Sequence, residues 1–294
     1  MQKGMCENLM IAIEITNRCN LTCPYCIKMV DKPEPKDMTP KEFNHVLKQL
    51  MPHRTERVAL SGLGEPLVNP HFIDMLNDPL LKRFQKLDFS TNGTLLTQET
   101  IRSLIDSRVI GWIRVSLQSA RKEVMETLQR GAKFEQVVAN TKNLISYARE
   151  RGSRTRIYVQ HLKTRLNPDE SEEDFQKILG TKFVKGVSFS KKVVSPASMG
   201  LLMPSEGQDV LIRGVNRSQD ACRNVFGISL IITAHGDLAG CCWDCTKFQT
   251  YGNIFENSLK ELRSSELLKS LREELVNRDF HRLPVCRRCL GGSK

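Results

Sequence analysis

Ten cysteines are spread unevenly over the chain, and three of them, Cys19, Cys23 and Cys26, share one short segment as C-x3-C-x2-C. Iron–sulfur clusters are held by cysteine thiolates, so three thiols in one loop can occupy three corners of a cluster and leave one iron open. Structural zinc sites take four ligands, commonly as two pairs, which three cysteines do not provide. A second group, Cys222, Cys241, Cys242, Cys245, Cys286 and Cys289, gathers near the carboxyl end and closes with Cys286-x2-Cys289. Paired cysteines of that kind suit either a cluster or a tetrahedral zinc ion.

The elements that must position these thiols are legible in the hydrophobic pattern. Leu9, Ile11, Ile13 and Ile15 alternate at period two, which predicts a strand directly before the first cysteines. Thr39-Pro40 with Glu42 predicts a capped helix start. Further strands are expected at Val58–Leu60, Lys86–Ser90, Trp112–Leu117, Arg156–Gln160 and Phe183–Phe189. Helices are expected at His71–Phe84, from Thr97 onward, Phe134–Arg149 and Glu170–Leu179. Strand and helix thus alternate about six times, which implies parallel pairing through crossovers. Six units are too few for a closed eight-fold barrel, so the expected architecture is α/β, a partial (β/α)6 TIM-like barrel.

After about Ser195 the texture changes to loop-like Ser195-Pro196-Ala197-Ser198 and Met203-Pro204-Ser205. A hairpin, Ile228–Thr233 with Asp237–Cys241 turning at His235-Gly236, and a helix over Ser258–Asn277 are expected beyond it. Two parts follow from this reading, residues 1–205 and residues 206–294, the second a small α+β domain.

With 44 basic and 33 acidic side chains the net charge is +11, which favours acidic partners, but aromatics at 6% are too sparse for a run of base-stacking platforms. Nucleic-acid binding by a zinc- or cluster-bearing protein is therefore the competing class rather than the leading one. No stretch approaches the ~20 apolar residues of a membrane helix, and Met1–Cys6 lacks a signal peptide's apolar core. The expectation is a cytoplasmic protein with no membrane partner and reduced cysteines, a setting in which clustered cysteines point to metal or catalysis.

The C-x3-C-x2-C motif, with Tyr25 before its last cysteine, resembles that of the radical S-adenosylmethionine (SAM) superfamily, and the resemblance spans the chain. It implies a [4Fe-4S] cluster on Cys19, Cys23 and Cys26 whose open iron binds SAM. It implies too that one electron releases a 5′-deoxyadenosyl radical, which abstracts hydrogen from substrate. The electron would come from a donor such as flavodoxin or ferredoxin. Gly62-Leu63-Gly64-Glu65-Pro66 resembles the family's G-G-E-P segment, with one residue inserted between the glycines. The resemblance makes Gly62, Gly64 and Glu65 contacts to the SAM amino group, the glycines admitting close backbone approach. Ser90 and Asn92, then Ser116 and Gln118, resemble ribose- and methionine-contacting segments, and Arg130 resembles an arginine that pairs with the SAM carboxylate. The cysteine loop, Glu65, Asn92 and Gln118 each follow the carboxyl end of an expected strand, where active sites of barrel-like α/β folds sit.

The carboxyl-terminal stretch resembles the SPASM/twitch extension of the same superfamily. The short chain after Cys289 leads to the expectation of the twitch form, with one auxiliary [4Fe-4S] cluster on Cys222, Cys241, Cys286 and Cys289. Cys6 is left over near the terminus; Cys242 and Cys245 are candidate hydrogen-atom donors, and either can exchange roles with Cys241. Gln160 and His161 are further candidates to face substrate, and Asp244, beside Trp243, to bind a hydroxyl or take a proton. The resemblance implies epimerisation or dehydrogenation of a C–H bond in a sugar, aminocyclitol or peptide. No peptide-recognition module is evident ahead of Leu9, which tilts the expectation toward a small polyol or amino sugar, or a peptide handled by a separate partner. A ribosomal-peptide maturase forming a crosslink is the alternative.

Overall fold

The computed structural model describes residues 9–29, 33–53, 55–84, 86–183, 186–193, 229–239 and 250–277, with 279, 281 and 282. Strands β1 (Leu9–Ile13), β2 (Thr55–Leu60), β3 (Lys86–Thr91), β4 (Ile110–Ser116), β5 (Arg156–Lys163) and β6 (Val187–Val193) lie side by side in sequence order, all parallel. On the far side of β1, β7 (Ser229–Ile232) pairs in parallel, and β8 (Asp237–Ala239) and β9 (Thr250–Asn253) add antiparallel strands. The order β6-β5-β4-β3-β2-β1-β7-β8-β9 leaves the sheet unclosed, an open barrel as the count of repeats implies. The strands from 229 onward extend the core's own sheet. The expected division near residue 205 falls outside the described residues.

Helices α1 (Pro40–Leu50), α2 (Phe72–Leu76), α3 (Gln98–Asp106), α4 (Lys122–Leu128), α5 (Phe134–Glu150) and α6 (Glu172–Leu179) cover one face of the sheet. Val58, Leu60, Leu87, Phe89, Ile113, Val115, Ile157 and Val159 point at them and form the core. Alternation then sends Arg57, Asp88, Trp112, Arg114, Tyr158 and Gln160 to the opposite, inner face. The carboxyl ends of β1 to β5 share one rim, and the inner face descends from it.

Local chemistry fixes the element ends. Thr39 and Glu42 form a reciprocal capping box at α1, with Pro40 at the first helical position. The hairpin turns at Gly236, whose φ of +87° suits glycine. Four expectations shift. The helix over 71–84 breaks after α2, because Pro79 has no amide to donate and Asp78 caps the Leu80 amide instead. The helix over 258–277 divides into α7 (Leu259–Ser264) and α8 (Glu266–Val276). There Ser264 Oγ donates to Lys260 O, Ser265 turns extended, and its Oγ accepts from the Leu268 amide. The sixth strand starts later than expected, after Gly186 at φ +92°. Finally, the short helix α4 has no counterpart among the expected elements. No helix among the described residues is long and apolar enough to cross a membrane.

Candidate functional site

Cys19, Cys23 and Cys26 lie on the loop after β1, partly exposed and outside any disulfide. The loop is tied down on four sides. Thr16 Oγ1 donates to Asp37 Oδ1 (2.6 Å), and Arg18 pairs with Asp37 Oδ2 (2.8 Å). Asn17 donates to Glu34 O (2.7 Å) and accepts from the Lys36 amide (2.8 Å). The Glu65 amide donates to Arg18 O (2.8 Å), and Asn92 Nδ2 donates to Asn20 Oδ1 (2.9 Å). The Thr22 amide donates to Arg130 O (3.0 Å). Below the loop, Asn69 Nδ2 donates to Ile15 O and Met38 O (2.7 and 3.0 Å). An irregular loop with this many fixed polar partners presents its side chains in a set arrangement.

The predicted SAM-contacting segments converge on the same rim. Glu65 is buried and caps the helical turn Pro66–Val68. Its carboxylate accepts from Thr91 Oγ1 (2.8 Å), the Asn92 amide (2.6 Å) and the Leu67 amide (3.4 Å), joining the Gly62–Pro66 and Ser90–Asn92 segments. These donors use most of a carboxylate's roughly four acceptor positions. The glycines have a packing reason of their own. A Cβ on Gly64 would strike the carbonyl oxygens of Thr16 and Arg18, and one on Gly62 would strike the Glu14 side chain. Gln118, 5% exposed, donates its amide to Gln129 Oε1 (3.3 Å), and Ser116 pairs with Gln160 across β4 and β5. Arg130 is exposed at the end of the α4 turn.

The thiols fit a cationic cluster. Burial, and then negative charge at Cys26 and Cys19, pushes the Cys23 thiol up to about 12. Burial likewise raises Cys19 and Cys26. Three neighbouring thiols that resist joint ionisation call for positive charge among them. Among the described residues, no three His, Cys, Asp or Glu side chains converge closely enough to hold a single metal ion. A cluster asks for less convergence, since each thiolate binds a different iron. Burial also raises the Tyr25 hydroxyl, followed by charge at Cys23 and Cys26, while Gln118 lowers it. Gln118 Oε1 is buried without a hydrogen-bond partner, an orphaned acceptor beside Tyr25 that a bound donor group would satisfy. Burial pushes Glu65 up to about 7 against the three hydrogen bonds that lower it.

Sequence reasoning missed three buried carboxylates, Glu14, Asp88 and Glu170, and two of them tie site segments together. Glu14 accepts from the Leu63 amide (2.5 Å) and the Ala234 amide (3.2 Å), linking the Gly62–Glu65 segment to the β7–β8 turn. Glu170 accepts from Ser119 Oγ, the Ala120 amide (3.1 Å) and Arg121 Nε (3.1 Å), and Asn167 beside it donates to Gln118 O (3.0 Å). Their partners lie tens of residues away, so only a polar residue in an apolar setting hinted at them. Gln160 and His161 are neighbours on β5 and point to opposite faces. Gln160 lies on the inner face, whereas His161 packs against Phe175 of α6 and Phe189, away from it. Cys6, Cys222, Cys241, Cys242, Trp243, Asp244, Cys245, Cys286 and Cys289 lie outside the described residues.

An open α/β barrel with three thiols on the rim of its strands defines a cluster-dependent enzyme class. A sequence profile of the Radical SAM superfamily matches residues 13–182, and one of SPASM, an iron-sulfur cluster-binding domain, matches residues 222–290. The chain belongs to the radical SAM superfamily. It is a radical SAM enzyme whose cofactors are SAM, the SAM-binding [4Fe-4S] cluster and auxiliary iron–sulfur chemistry in the SPASM domain. It is 32% identical over 162 residues to the tungsten-containing aldehyde ferredoxin oxidoreductase cofactor-modifying protein of Pyrococcus furiosus, covering 53% of this chain and 44% of that protein. It is 25% identical over 276 residues to the antilisterial bacteriocin subtilosin biosynthesis protein AlbA of Bacillus subtilis, covering 88% and 60%. The chain thus spans less than two thirds of the length of either relative. Its fold is like that of Streptococcus suis SuiB bound to precursor peptide SuiA, with a TM-score of 0.64, 18% identity and coverage of 90% and 66%.

Proposed function

We propose that this radical SAM enzyme modifies a C–H bond of a peptide. The observation that carries this reading is the match over 88% of the chain to a bacteriocin biosynthesis protein, which takes in both the core and the SPASM region. The fold likeness to a protein with a bound precursor peptide agrees with it. This reading favours the peptide alternative over epimerisation or dehydrogenation of a sugar or aminocyclitol. The cofactor pair, once loaded and reduced, supplies the deoxyadenosyl radical.

In this proposal the chain's own residues hold and orient. Cys19, Cys23 and Cys26 ligate three irons. Tyr25, Gly62, Gly64, Glu65, Ser90, Asn92, Ser116, Gln118 and Arg130 surround SAM, Glu65 and Gln118 offering acceptors and Arg130 a cation. Cys222, Cys241, Cys286 and Cys289 hold the auxiliary cluster, and Cys242 and Cys245 are the candidate hydrogen-atom donors. The test incubates reconstituted enzyme, dithionite and SAM with short peptides encoded beside its gene, and separately with aminocyclitols, and follows substrate mass and stereochemistry. A peptide that loses two hydrogens, or gains solvent deuterium at one carbon, supports the proposal. Turnover of an aminocyclitol with every peptide untouched contradicts it.

A further inference from the structure

The inner face of the sheet carries a charge arrangement that the SAM-contacting rim does not use. Ser116 and Gln160 are paired next to the rim. Two residues back along β4, about 6–7 Å, Arg114 sits in register between Ser90 of β3 and Tyr158 of β5. Two residues further back Trp112 pairs with Asp88, and Arg57 reaches the same place from β2. This layer holds two guanidinium groups around one carboxylate. Asp88, fully buried, forms an ion pair with Arg57. Arg114 Nε is buried without a hydrogen-bond partner.

Arg114 is nevertheless held in place. Its guanidinium lies 4.5 Å from the centroid of the Trp112 ring. That ring is braced edge-on by Tyr158, with centroids 5.7 Å apart at 78°, and Arg57 lies 5.1 Å from its centroid. Stacking fixes the plane of a guanidinium while leaving its terminal nitrogens for bidentate bonds to an oxyanion. The carboxylate that acts on Arg114, Asp88, is already paired with Arg57, so this layer keeps an excess of positive charge, which burial disfavours. Burial indeed lowers the Arg114 pKa, Asp88 opposes that shift, and Arg57 adds to it.

We propose that Arg114 is the anchor for a carboxylate of the substrate, seated on the Trp112 platform below the SAM-contacting rim. This rests on the proposed peptide substrate and sharpens it: the peptide enters the inner face with a carboxyl terminus or an acidic side chain leading. Arg114 is then a specificity-determining residue, separate from the Arg130 proposed for the SAM carboxylate.

Saturation-transfer NMR on the reconstituted holoenzyme tests the anchor with N-acetylglycine, a peptide-like monocarboxylate, and with uncharged N-acetylglycinamide at matched ionic strength. N-acetylglycine should give a signal at least five-fold stronger than the amide. The signal should fall at least five-fold in Arg114→Gln, fall by a smaller factor in Arg114→Lys, and persist at saturating SAM. Should Arg114→Gln misfold, as read by circular dichroism, the acid-to-amide ratio in the wild type and the loss in Arg114→Lys still decide. Equal signals from acid and amide, or an undiminished signal in both variants, overturn the proposal. Displacement of N-acetylglycine by SAM overturns it too, because Arg114 would then serve the SAM carboxylate. Deoxyadenosine release by the same wild-type preparation is scored separately, so an inert enzyme with an intact Arg114-dependent signal condemns the functional reading and leaves the anchor standing.

Discussion

The rim and the inner face of one sheet are built from opposite electrostatics. At the rim, burial disfavours the thiolate form of all three cysteines, so the site asks for positive charge. On the inner face, Asp88 pairs with Arg57 while Arg114 stacks on the same Trp112 ring, so this layer asks for negative charge. The two regions are also secured differently. The cysteine loop has no regular hydrogen-bond ladder, so asparagine side chains and remote amides hold it. The inner-face side chains stand on paired strands, so strand register places them, and the edge-on Tyr158 contact and the guanidinium contacts over Trp112 orient them. On the proposed roles, irregular backbone serves the reactive group and regular backbone serves recognition.

Breaking the rim gives the largest effect. Cys23→Ala is expected to lose about four iron atoms per chain on reconstitution, one four-iron cluster's worth, and to reduce deoxyadenosine release to background by chromatography. On the inner face, Asp88→Asn removes the charge paired with Arg57 and leaves iron loading intact. A loss of about 1–3 kcal/mol is expected, since Arg57 is partly solvated, read as a lower urea midpoint. An equal loss of iron would show that the two regions are not separable. Gly64→Ala sharpens the same contrast from the rim, because its Cβ meets the carbonyls of Thr16 and Arg18. It should cost about 1–3 kcal/mol by overpacking and lower iron content as well as stability.

The smallest effect is a pH dependence that belongs to neither region. Burial holds His161 down to about 4, with Glu170 opposing the shift. The unfolded chain takes up this proton near pH 6.5 and the folded chain only near 4. The contribution of neutral His161 to stability is therefore complete above about pH 6.5 and is lost as pH falls toward about 4. Urea midpoints at pH 7 and pH 5 should differ less in His161→Asn than in the wild type, and identical differences would refute the assignment.

What the sequence discloses is local. The C-x3-C-x2-C spacing, the Thr39–Glu42 capping box and the alternation of β1 to β6 with helices rest on neighbours within a few residues, and each can be read directly. The breaks at Pro79 and Ser265 were visible as residue types, but the apolar periodicity of the flanking segments masked them. Glu14, Asn17, Asn69 and Glu170 act on partners brought near only by the fold, so their roles needed the structure. His161 illustrates the limit most plainly. Beside Gln160 in sequence it looks like part of the same site, yet strand alternation sends it to the helices.

The tied-down trio of thiols at the rim is proposed to serve SAM chemistry. Anaerobic, reconstituted, dithionite-reduced enzyme should convert SAM to 5′-deoxyadenosine and methionine in equal amounts, measured by liquid chromatography with mass detection. Full iron loading with SAM recovered intact would contradict it.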